Sequence, residues 1–84
     1  MDIKKICIHC MHEKPQADDV CPHCGKENSQ YTRNPQHLPP MTPLNGKYLL
    51  GRALGQGGFG ITYIALDTHL QVPVAIKELY LKLL

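Results

Sequence analysis

Four cysteines carry the first chemistry in this 84-residue chain. Cys7-Ile8-His9-Cys10 and Cys21-Pro22-His23-Cys24 each place two thiols three residues apart, with ten residues between the pairs. Two thiolates at that spacing grip one ion from a tight knuckle, and two knuckles complete the tetrahedron that zinc prefers. Four protein ligands leave no position for a catalytic water, so the expected ion is structural. The two halves repeat with a period of fourteen, matching Cys7 with Cys21, His9 with His23, Cys10 with Cys24 and Glu13 with Glu27. Gly25 can take the left-handed conformation that closes such a turn, whereas Met11 at the matching place meets a steric penalty, so the second knuckle is expected to be the tighter. His9, His12 and His23 read as exposed knuckle residues. A disulfide or a redox dithiol is the competing reading, disfavoured by the lack of a secretion signal or a βαβ context.

The second chemical group is Gly55-Gln56-Gly57-Gly58-Phe59-Gly60, a G-x-G-x-x-G pattern. Alone it fits a dinucleotide fingerprint, another phosphate-cradling loop or plain turn chemistry. A dinucleotide fold needs a helix directly after Gly60, and "ITY" is a poor helix start. A Walker-type loop is excluded, because Ile61 follows where Lys-Ser or Lys-Thr is required. The pattern gains weight from Val74-Ala75-Ile76-Lys77, whose lysine lies seventeen residues after Gly60. Residues two apart on a strand share a face about 6.6 Å apart, so Ala75 and Lys77 are expected to point into one cleft. Ala75 is small enough to admit a flat base, Lys77 can reach phosphate oxygens, and Glu78 faces the other way.

These residues must be held by three segments. Residues 1–27 contain all the cysteines and many turn formers, and read as a loop-rich metal module. Residues 28–46, "NSQYTRNPQHLPPMTPLNG", carry four prolines and read as an extended linker. From Lys47 the chain becomes apolar and β-branched, which predicts strands at about 47–56, 59–67 and 73–79, with Pro73 opening the third. "ITYIAL" at 61–66 does not alternate cleanly, yet its β-branched residues favour strand. Nine basic and seven acidic residues leave a net charge of +2 without a basic run, so no nucleic-acid partner is expected. No apolar stretch approaches a membrane span, and the default compartment is the cytoplasm.

Residues 5–27 resemble a short zinc ribbon of the double-knuckle type. Residues 47–79, with "GGFGITY" followed by "PVAIKE", resemble the start of a protein-kinase N-lobe. They are similar in particular to bacterial serine/threonine kinases of eukaryotic type, some of which carry an N-terminal zinc ribbon and a proline-containing linker. The resemblance implies a zinc ribbon (1–27), a linker (28–46) and the first three antiparallel strands of an incomplete α+β kinase domain (47–84). It implies that Gly55, Gly57, Gly58 and Gly60 let the backbone approach the phosphates of ATP, with Phe59 at the loop tip. Leu54 and Ala75 would roof the adenine, Thr62 would stand where the family usually has valine, and Lys77 would hold the α- and β-phosphates. In an intact kinase the partners are ATP, magnesium and a protein substrate that accepts the γ-phosphate on Ser or Thr. No His-Arg-Asp or Asp-Phe-Gly triplet occurs in the 84 residues, so this chain by itself is expected to be inactive, with an apolar face and a loosely ordered kinase-like end. The alternative is a zinc-dependent protein-interaction module with a relic kinase tail.

Overall fold

The structure, a computed structural model, describes residues 3–16 and 20–79. Strands β1 (Pro43–Leu44), β2 (Tyr48–Gly57), β3 (Gly60–Asp67) and β4 (Val72–Leu79) form one antiparallel sheet in the order β1-β2-β3-β4. The short β1 comes from the segment read as linker. Its cause is local: Asn45 and Gly46 both take positive φ, 53° and 64°, and so fold Leu44 back opposite Tyr48 in a tight hairpin. Pro73 falls at the second residue of β4 and not the first. On a strand with a neighbour on one side only among the described residues, a missing N–H is tolerated.

Both faces of the sheet are covered in part. Ile61, Tyr63 and Ala65 of β3 pack with Leu50 on one face, with Leu38 and Leu44 laid over them. Leu66 and Ile64 lie on the other face with Leu49, under Ile6 and Met11 of the cysteine module. Burial from two sides explains why "ITYIAL" does not alternate: every position of that stretch except Thr62 packs in one of the two apolar clusters. It also changes the expectation of a bare apolar face, since the proline-rich segment and the cysteine module supply cover. Leu79 at the end of β4 is exposed, and Tyr80, Leu81, Leu83 and Leu84 lie outside the described residues. Among the described residues no helix is long and apolar enough to cross a membrane.

Asp67 fixes the turn from β3 to β4. Its Oδ1 accepts from the amides of His69 and Leu70, both at 3.0 Å, and Lys47 Nζ stands 3.5 Å from Oδ2. The Leu70 amide, helped by that of His69 and by the Lys47 charge, holds the carboxyl below its ordinary range against the opposing effect of burial.

Candidate functional site

The four sulfurs lie within 4.8 Å of one another. Cys7 and Cys24 are 3.6 Å apart and Cys10 and Cys21 3.5 Å, with all four thiols unbridged. Zn–S bonds of about 2.3 Å in a tetrahedron set sulfurs about 3.8 Å apart, so these four could hold a zinc ion with little rearrangement. Each knuckle is closed by the same two backbone bonds. In the first, the Cys7 amide donates to His12 at 2.9 Å and the Met11 amide to Cys7 at 2.7 Å; in the second, Cys21 donates to Lys26 at 3.0 Å and Gly25 to Cys21 at 2.8 Å. Met11 and Gly25 both take positive φ, 63° and 75°.

Thiol chemistry differs around the cluster. Burial pushes the Cys7 and Cys10 thiols up. Burial also opposes ionisation of Cys21, but the amides of Cys24 and His23, with the Cys10 and Cys7 side chains, outweigh it and bring that thiol down to about 7. Cys21 is thus partly thiolate at neutral pH, and an arriving cation would displace the protons of the thiols that it binds.

His9 is not an exposed knuckle residue. It is buried, its Nε2–H donates to the Glu27 carbonyl at 2.9 Å, its ring meets Tyr31 edge-on at 5.9 Å, and its Nδ1 has no partner among the described residues. The reason is docking of the first knuckle onto β2. Arg52 donates from its amide to the Ile8 carbonyl at 2.9 Å and from Nε to the His9 carbonyl at 3.1 Å. Asn28 bridges the same stretch, accepting from the Ile8 amide and donating to the Ile6 carbonyl, both at 2.9 Å. At Gly51 a Cβ would come within 2.5 Å of the Ile8 oxygen and 2.8 Å of Met11 Sδ. Only glycine permits that approach. A glycine inside an apolar strand is the sequence signal for it; Asn28 and Arg52 carried none. His12 and His23 are exposed and stack across the knuckles at 4.1 Å, outside the thiol cluster.

The glycine pattern forms the β2–β3 hairpin, with Gly57 paired to Gly60 and Gly58-Phe59 as the two-residue turn. Phe59 stands at the tip, 78 % exposed. The register aligns Gly55 with Thr62 and Thr62 with Lys77, a row across three strands that sets the lysine beside the hairpin. Gly55, Gln56, Gly57, Phe59, Gly60, Thr62 and Lys77 line a concavity of about 280 Å³. Leu54, Gly58 and Ala75 are outside its lining. Leu54 is exposed just before Gly55, Gly58 occupies the turn, and Ala75 pairs with Ile64, two residues from Lys77 on the same strand. Glu78 accepts from the Tyr63 hydroxyl at 3.2 Å, in the Tyr63 layer. A larger cleft of about 340 Å³, lined by Ile6, Met11, Leu66 and Pro73 among others, lies between the cysteine module and the β3–β4 turn, away from Lys77.

The glycines divide by cause. A Cβ on Gly60 would collide with the Glu78 carbonyl, so sheet pairing requires that glycine. At Gly55, Gly57 and Gly58 a Cβ would meet no atom of the described residues within 4 Å, and none of the three takes a positive φ. Neither packing nor backbone conformation demands glycine at those three places.

No protein-family model and no solved structure matches this chain. Over 77 residues it is 45 % identical to calcium-dependent protein kinase 10 of Arabidopsis thaliana, across 80 % of this chain and 13 % of that protein. The similarity points to a relationship with protein kinases, and the chain spans 13 % of the length of that relative.

Proposed function

We propose that residues 47–84 are the nucleotide-holding edge of a serine/threonine protein kinase, carried behind a zinc-stabilised module at 1–27. One observation carries the reading: three hairpin glycines that the fold does not require line or adjoin a hollow that also holds Lys77. Glycines free of internal demand fit a backbone kept bare for close approach of phosphate oxygens.

In this reading the amides of residues 55–60 face the phosphates of ATP, Lys77 supplies positive charge to them, and Thr62 lies against the base with Ala75 and Leu54 at its margin. Phosphoryl transfer depends on positioning and charge stabilisation, and a hollow of about 280 Å³ is at the low end for enclosing a ligand of drug size. The hairpin and lysine thus act as one wall of a site. Cys7, Cys10, Cys21 and Cys24 would hold zinc, which supplies cross-linking of the two knuckles and no chemistry on the substrate.

Titration of the zinc-loaded chain with ATP tests the nucleotide reading. Lys77→Met should weaken binding at least about tenfold, the loss of a charge-assisted contact. Gly57→Val should do the same by filling the hollow. Equal affinity in wild type and both variants would defeat the assignment of this site.

A further inference from the structure

Beyond its strand pairing, the hairpin Gly55–Gly60 has few side chains to anchor it. Only Gln56 and Phe59 carry side chains beyond a hydrogen, and Phe59 is 78 % exposed. Gln56 is held from outside the sheet. Its Nε2 donates to Gln36 Oε1 at 2.8 Å, and its Oε1 accepts from His37 Nε2 at 2.8 Å, which fixes the His37 tautomer with hydrogen on Nε2.

Gln36 and His37 are themselves set in place. Asn34 accepts from the Gln36 amide through Oδ1 and from the His37 amide through its carbonyl, both at 2.9 Å, and Arg33 donates to the His37 carbonyl at 2.7 Å. The His37 ring meets Tyr63 edge-on at 6.2 Å, and the Leu38 amide donates to the Tyr63 hydroxyl at 2.9 Å. Tyr63 is buried in the core under the sheet. A rigid turn anchored on the core therefore reaches across to the second residue of the glycine hairpin.

We infer that Gln36 and His37 are positioning residues for the glycine hairpin: the Asn34–His37 turn clamps it through Gln56 and so tunes the affinity of the site for nucleotide. The consequence for ATP rests on the nucleotide reading above; the clamp itself does not. Glycine backbone has the most conformational freedom to lose, so fixing the height of the hairpin tip over Lys77 before the ligand arrives would reduce the ordering that binding must impose. The segment is then a working part of the site and not a spacer.

The test uses the zinc-loaded 84-residue chain and a Gln36→Ala/His37→Phe variant, in which phenylalanine keeps a ring against Tyr63 while both bonds to Gln56 are lost. Amide hydrogen exchange at residues 56–60 should quicken about fivefold, the effect of losing bonds of ordinary strength, with residues 63–65 unchanged. ATP affinity should fall about threefold to fivefold, as preorganisation is lost. Gln36→Glu, which keeps the acceptor, should restore most of both when His37 is intact. Unchanged exchange at 56–60, or equal quickening through 63–65, overturns the clamp. Loosened exchange with unchanged or tighter ATP binding overturns its role in affinity. Should the wild-type chain fail to bind ATP, the nucleotide reading falls, and the exchange data decide the clamp without it.

Discussion

The two cysteine knuckles share their spacing and their backbone bonds, yet they occupy different environments. The leading thiols Cys7 and Cys21 are both buried, but in the first knuckle Ile8, His9 and Met11 are buried too, whereas in the second Pro22, His23, Cys24 and Gly25 are exposed. The first knuckle rests on β2 through Arg52 and Gly51, and the second faces outward. The thiol spacing is shared, but Ile8 and Met11 give the first copy an apolar surface to dock where the second has Pro22 and Gly25. The same contrast explains Met11. A left-handed methionine is disfavoured by roughly 1–2 kcal/mol, but burying its side chain against the sheet is worth about 1.5–3 kcal/mol, so packing outweighs the backbone. A Cβ on Gly25 would meet no atom of the described residues within 4 Å, so only its backbone conformation asks for glycine.

Removing the metal should break this comparison most strongly. Zinc bound by four thiolates contributes on the order of 10–16 kcal/mol to a small module, so chelation should unfold both knuckles. Hydrogen exchange should then quicken at residues 50–53 as well, because the docked knuckle leaves; retained protection there would show that β2 does not depend on it. The sign with pH follows from the thiols: each must lose its proton to bind, so uptake of zinc should weaken as pH falls, more steeply below about 7, where Cys21 regains its own.

Gly51→Ala should come next. Its Cβ meets the Ile8 carbonyl, a backbone atom that cannot swing aside, and overpacking of this kind costs about 1–3 kcal/mol. Thermal unfolding of the zinc-loaded protein should show the loss, with zinc stoichiometry kept at one per chain. A neutral result would mean that the knuckle sits farther from β2.

The smallest effects sharpen the contrast between the knuckles. Gly25→Ala should cost about 1 kcal/mol, all from φ of 75°. Met11→Gly relieves a similar strain but empties a buried site, and should still destabilise by about 1–2 kcal/mol. Urea denaturation of the two variants separates the causes. A stabilised Met11→Gly protein would show that strain, and not burial, dominates at the first knuckle.

Much of the molecule was legible in residue order. Thiol spacing located the four-cysteine cluster, and Gly57-Gly58-Phe59-Gly60 between two β-rich runs located the hairpin. Strand β1 was partly legible, since Asn45-Gly46 is a turn signal, but the four prolines of residues 28–46, one of them in β1 itself, dominate the composition and read as linker. The burial of His9 was not legible at all. It depends on Arg52, Asn28 and Tyr31, which are distant along the chain and reach His9 and its neighbours only after the sheet has formed.

The sequence by itself determined which atoms could do chemistry: four thiols at ligand spacing, a bare glycine hairpin, and a lysine two residues beyond a small alanine on one strand. Those are short-range properties, set by the rise of a strand and the reach of a knuckle. Only the tertiary structure decided that Lys77 aligns with Thr62 and Gly55, that one knuckle is buried while its copy is exposed, and that Gln36 and His37 hold the glycine hairpin. Register and docking depend on contacts between residues far apart in the chain, where a two-residue period fixes the face of each side chain but not its partner.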